Sequence, residues 1–124
     1  MQDNNSPINW QEILKITNHK PELAKEMVSM LAGELPDMKM LIELALKNKN
    51  QPELINHLHK LHGSCCYCGV TKLRQLTAQI EKQLKNNHIL SSEKYETVLH
   101  PLFRDLFTEI DLILNYINQQ AITL

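Results

Sequence analysis

An antiparallel four-helix bundle with an additional short N-terminal helix is the fold this sequence predicts, and three observations carry it. Apolar residues recur at three- and four-residue steps through five segments, which is the helical period, and no stretch shows the two-residue alternation of a strand. Only 3 glycines and 5 prolines punctuate 124 residues rich in Leu, Lys, Glu, Gln and Ile, a composition that favours helix. The links between the long segments are short and polar, which makes consecutive helices run antiparallel. The length and a hydrophobic share of 43% suit one domain around one core. A flexible polar segment at 1–8 is expected to lead into a single helical domain at 9–122.

The first, short helix is expected from about Asn9 to Thr17, with Trp10, Ile13, Leu14 and Ile16 apolar. Asn18, His19 and Lys20 form a turn, and Pro21 suits the first position of the second helix. There Leu23, Met27, Met30, Leu31, Leu35, Met38, Leu41, Ile42 and Leu44 keep helical spacing, and Gly33 with Pro36 predicts a kink or local break. Met27, Met30, Met38 and Met40 read as core or near-core filler. Asn48 to Gln51 is a polar turn.

The third helix is expected from about Pro52, with Leu54, Leu58, Leu61, Cys65 and Cys68 as its seam. At roughly 100° per residue these five point one way and His59 points well over 90° from their centre, so His59 faces solvent. Gly69 and Val70 make a short connection, and Thr71 is expected to cap a fourth helix with the seam Leu73, Leu76, Ile80 and Leu84. Asn86 to Leu90 reads as a loop. Ser91 or Ser92 caps the last helix, which carries Tyr95, Val98, Leu99, Leu102, Phe103, Leu106, Ile110, Ile113, Leu114 and Ile117, bent at Pro101. Lys47, Lys82 and Lys85 read as solvated flanks.

A formal net charge of −1 gives no global case for nucleic acid or an anionic membrane surface. No apolar run is long enough to span a bilayer, and the N-terminus lacks the basic and apolar regions of a secretory signal, so no direct membrane contact is expected. All 3 cysteines fall between Cys65 and Cys68, which argues against a disulfide framework and for a reducing, cytoplasmic setting. A monomer is expected, since the apolar stripes are all consumed by the bundle.

The residues that point to chemistry lie in the third helix. Gly63 sits one turn beyond His59, and a mid-helix glycine costs roughly 1 kcal/mol relative to alanine. Its missing side chain leaves open space beside an imidazole that is nucleophilic when unprotonated. Phosphorylation of that ring gives a reactive phosphoramidate, and Lys60 and a protonated His62 would place positive charge nearby. Ile55, Asn56, Lys60, Gly63, Cys66 and Tyr67 surround His59 as an expected docking patch. No Gly-rich phosphate loop or ATP site accompanies it, so phosphorylation from ATP by this chain is not expected. His57 reads as structural, and His19, His88 and His100 as loop or turn residues. Cys65 and Cys68 read as small core residues. His59, His62 and Cys66, at i, i+3 and i+7, leave open an alternative: a metal- or redox-responsive helical module. A purely structural adaptor is a third reading.

His59-Lys60-Leu61-His62-Gly63-Ser64 resembles the H-x-L-K-G-S signature of histidine phosphotransfer (HPt) domains. The resemblance covers most of the chain. Pro21-Glu22-Leu23-Ala24 through Glu34-Leu35-Pro36 looks like the family's first long helix, and Gly69-Val70 with Leu73, Leu76 and Glu81 like its turn and following helix. Within the family it is most similar to the C-terminal modules of BarA/GacS-type hybrid sensor kinases, which also tend to have a histidine at the His62 position. The resemblance implies that His59 is the phosphoacceptor and that Gly63 makes room for a receiver domain. It implies partners of two kinds: the receiver of a hybrid kinase and that of a response regulator, with magnesium held by the receivers and no cofactor on this chain. The chain is then expected to be a fragment of a larger kinase, and the module a phosphotransfer intermediate.

Two positions depart from the family pattern. His62 stands where most members carry lysine, so transfer is expected to vary more with pH. Glu81 stands where many carry glutamine. A carboxylate there would accept from Nδ1–H of His59, fix the tautomer and leave Nε2 to attack.

Overall fold

The structure is a computed structural model, and it describes residues 6–86 and 95–119. Asn9 starts α1 (Trp10–Ile16) by accepting from the Glu12 backbone N–H at 3.1 Å, which satisfies one of the free donors of the first turn. Pro21 opens α2 (Pro21–Lys47). Of the kink or local break expected at Gly33 and Pro36, the break is absent: the helix is continuous through both. Pro36 is exposed, so the backbone bond it cannot make lies away from the packed face, where Leu31, Leu35 and Ile42 are buried.

Asn50 caps α3 (Gln51–Cys65) through the Glu53 N–H at 3.2 Å, so the helix starts one residue before the expected Pro52. Thr71 is the first residue of α4 (Thr71–Asn86) rather than its cap, and its hydroxyl donates to Glu12 Oε2 at 3.2 Å. Asn86, expected in a loop, is the last residue of that helix. The rest of that loop and the Ser91 or Ser92 cap lie outside the described residues, as does His88. A π-helical turn at Tyr95–Leu99 then leads into α5 (His100–Gln119). The irregularity expected at Pro101 thus falls just before it. A proline ring crowds the carbonyl four residues earlier and cannot donate to it, which favours a wider turn there.

Helix α2 packs on α3, α3 on α4 and α4 on α5, and α5 closes the ring against α2. Gln51 Nε2 donates to the Leu84 carbonyl at 2.7 Å, joining the start of α3 to the end of α4 as an antiparallel pair requires. The expected four-helix bundle is therefore the fold, and among the described residues there is no strand. Helix α1 crosses one end. Asn9 N–H donates to the Gly69 carbonyl at 2.7 Å, Trp10 Nε1 to the Tyr116 hydroxyl at 2.9 Å, and Arg74 lies 3.3 Å from Glu12. Gly69 has φ of 66°, and a Cβ there would lie 2.5 Å from the Asn9 carbonyl oxygen, so only glycine fits this close approach. Ile8, assigned from sequence to the flexible segment, is fully buried, so the packed chain begins before Asn9.

The α3 seam is as expected, with Leu54, Leu58, Leu61, Cys65 and Cys68 all buried. In α4, Thr77 takes the place expected of Leu76, which is only half-buried. The Thr77 hydroxyl donates to the Leu73 carbonyl at 2.6 Å, so a polar side chain enters the core already satisfied. Of the expected α2 stripe Leu31, Leu35 and Ile42 are buried, joined by Ala24, Val28 and Ala45, while Leu23, Leu41 and Leu44 are exposed. Met30 and Met40 are likewise exposed rather than core, and Met27 and Met38 half-buried. Apolar surface does remain uncovered along α2, which removes the basis for expecting a monomer. Among the described residues no helix is long and apolar enough to cross a membrane.

Candidate functional site: an exposed histidine on a buried carboxylate

Leu58 and Leu61 are both buried completely, and they turn the two residues between them, His59 and Lys60, outward. His59 is accordingly 69% exposed, as its angular position on the helix predicts. On α4, buried Ile80 and Leu84 hold Glu81 against α3 with only 9% of its side chain exposed. Glu81 Oε2 lies 3.0 Å from His59 Nδ1, and Lys85 Nζ, one turn along, lies 2.7 Å from the same oxygen. Burial pushes the Glu81 carboxyl up, but the hydrogen bonds and charges of Lys85 and His59 outweigh it and hold the group below the usual carboxylate range. Glu81 is therefore ionised at neutral pH and accepts only. The proton of a neutral His59 ring then sits on Nδ1, and Nε2 keeps its lone pair on the solvent side.

His59, His62, Ala78, Glu81, Lys82 and Lys85 line the groove between the two helices. Lys85 reads from sequence as a solvated flank; its ammonium instead grips the carboxylate. Only its i+4 spacing from Glu81 foreshadows that contact. Gly63 is exposed, and a Cβ built there would meet nothing within 4 Å. Asn56, Lys60 and Tyr67 are exposed, and Ile55, His62 and Cys66 half-buried. Beyond Gly63, on the other flank of α3, Ser64 donates to Glu34 Oε2 on α2 at 3.1 Å, beside a pocket lined in part by Met30 and Tyr67. Met30 is not among the expected surface residues, because a methionine at helical spacing reads as core.

Cys66 Sγ donates to the His62 carbonyl at 3.3 Å, one turn back along its own helix. Among the described residues, no three His, Cys, Asp or Glu side chains are grouped to hold a metal ion. Burial pushes the Cys65 thiol up to about 12 and the Cys68 thiol up to about 11, which keeps both protonated and poorly reactive at neutral pH. The geometry therefore favours an oriented, solvent-facing nucleophile over a metal or redox centre.

Residues 26–118 match the Hpt domain family. The chain belongs to that family. It is 36% identical over 107 residues, 86% of its length, to the signal transduction histidine-protein kinase BarA of Escherichia coli K12. It is 35% identical over 80 residues, 64% of its length, to the sensor protein GacS of Pseudomonas syringae. It spans only 11% and 9% of those two proteins. The crystal structure of the HPT domain from a hybrid histidine kinase of Shewanella superposes with a TM-score of 0.81 at 34% identity, covering 95% of this chain and 96% of that one. The Hpt domain described here is thus homologous to the C-terminal region of BarA/GacS hybrid kinases. Hpt domains of such kinases act in phosphotransfer within phosphorelays and interact with receiver domains.

Proposed function

We propose that this Hpt domain accepts a phosphoryl group on His59 Nε2 from the aspartyl phosphate of a hybrid kinase receiver and passes it to the aspartate of a response regulator. The observation that carries this reading is the 3.0 Å contact between the exposed His59 ring and buried Glu81, which leaves Nε2 free. The Nε2 lone pair forms a bond to phosphorus as the bond to the aspartate oxygen breaks, and the aspartate leaves as carboxylate. The ring gains positive charge, with Nδ1–H still donating to Glu81, whose carboxylate stabilises it. The onward step is the same displacement in reverse, on a second receiver.

The receivers supply the magnesium and most of the charge stabilisation, and this domain supplies a positioned nucleophile and leaving group. His62 adds positive charge to the groove when protonated. Gly63 leaves the approach clear, and Ile55, Asn56, Lys60, Cys66 and Tyr67 form the surface on which each receiver docks in turn. Because both receivers use one face, they compete, and short-lived complexes suit the relay. The setting is cytoplasmic.

The test is incubation with a receiver domain phosphorylated on its aspartate. The wild type should acquire acid-labile, alkali-stable phosphate and His59→Gln none. Equal labelling of both would place the phosphoryl group elsewhere.

A further inference from the structure

The groove beside His59 contains one short contact that the transfer reaction does not by itself require. Lys85 Nζ approaches Glu81 Oε2 at 2.7 Å, and it is this same oxygen that accepts from His59 Nδ1 at 3.0 Å. A bare carboxylate next to an imidazole favours the imidazolium. An imidazolium has protons on both nitrogens and no lone pair with which to attack phosphorus. The tautomer that Glu81 selects is therefore useful only if the ring stays neutral. A cation bound to the same oxygen meets that condition. It shares the negative charge of Glu81 between two donors, so the carboxylate still orients Nδ1–H but attracts a second ring proton less.

We propose that Lys85 is a positioning residue for phosphotransfer, holding Glu81 Oε2 so that the carboxylate orients His59 without turning it into a cation. The inference rests on His59 being the phosphoacceptor. Lys85 acts on the ring through Glu81. The other titratable groups bordering the groove are His62 on α3 and Lys82 on α4. From α2, Glu34 is engaged with Ser64 on the opposite flank of α3. Substituting Lys85 alone leaves all of these in place. Its side chain is 53% exposed in the last turn of α4, so its replacement leaves the core intact.

The experiment compares Lys85→Met and Lys85→Arg, each with Glu81 intact and with Glu81→Gln. The His59 ring is titrated by NMR, and transfer from a phosphorylated receiver domain is timed between pH 6 and 9. Lys85→Met should move both the ring titration and the acid limb of the rate profile upward by about 0.5–1 pH unit, the scale expected for removing one charge near a solvent-screened group. Lys85→Arg should restore the wild-type profile. With Gln at position 81 the displacement should shrink to less than half. A Lys85→Met ring titration that superimposes on wild type overturns the proposal. So does an equal displacement in both backgrounds, which would make Lys85 an ordinary through-space charge. The ring titration needs no phosphoryl donor. Absence of phosphate on wild-type His59 would therefore count against the relay reading, while the titration still measures how Lys85 acts on the ring.

Discussion

The outer face of α3 beside α4, and the end of the bundle crossed by α1, each hold a glycine and a buried carboxylate, and they hold them for opposite reasons. At the crossed end, Gly69 is demanded from within the chain: its positive φ and the Asn9 carbonyl exclude any Cβ. On the outer face, Gly63 touches nothing that a Cβ would displace, and the folded chain has no use for its bareness. The carboxylates divide the same way. Glu109 on α5 is 4% exposed with Lys72 no nearer than 3.9 Å, and burial pushes its carboxyl up against only a weak opposing pull. Glu81 is buried about as deeply, yet two short contacts hold it charged. Where the molecule serves itself, geometry is closed and charge is unwelcome. Where it serves a partner, a gap is left open and a charge is kept.

The largest effect that would sharpen this contrast is on stability. Gly69→Ala should cost about 2–4 kcal/mol in chemical denaturation, from left-handed strain plus the clash with α1. A loss near zero would mean that the α3–α4 turn rearranges freely and the crossed end is not closed. Glu81→Ala should slow phosphoryl transfer about ten- to hundredfold, the equivalent of a charged hydrogen bond of about 1.5–3 kcal/mol. An unchanged rate would remove Glu81 from the site.

Glu109→Gln should stabilise the domain by about 1 kcal/mol at pH 7, as expected when a poorly paired buried charge is made neutral. The sign follows from the raised carboxyl: the folded state holds its proton more tightly than the unfolded chain, so stability falls as pH climbs from the ordinary carboxylate value to the folded one. Variant and wild type should converge below about pH 4 in thermal melts. Glu81 has the opposite slope, contributing stability above the ordinary carboxylate value that is lost only as acid reaches its lowered one. The smallest effect is at Gly63. Gly63→Ala should stabilise the helix by up to about 1 kcal/mol while weakening receiver binding in titration calorimetry. Tighter or unchanged binding would make the open approach incidental.

Much of this contrast is legible in the order of residues. The spacing of Leu54, Leu58, Leu61 and Cys65 defines a buried seam, and the angle of His59 from it follows from helix geometry alone. The direction of Glu81 toward His59 is expected through the family resemblance. Other features are not legible. Thr77 is buried because its hydroxyl finds the Leu73 carbonyl, and hydropathy does not register that bond. Met30 and Met40 read as core because apolar spacing does not say which of two adjoining faces a helix turns inward; Ala24, Val28 and Ala45 are buried instead. Gly33 and Pro36 read as a kink or local break, yet α2 runs unbroken through both, with Leu31, Leu35 and Ile42 buried on either side of them.

By itself, then, the sequence determined the helical period, the order of the elements and the outward aim of one imidazole, because these depend on neighbours within a turn or two. Only the tertiary structure decided that His59 and Lys85 meet on a single oxygen of Glu81. His59 and Glu81 lie 22 residues apart on different helices, and their contact depends on how closely α3 and α4 approach and how each is rotated about its axis. Those two quantities are set by the buried faces of all four helices packing at once.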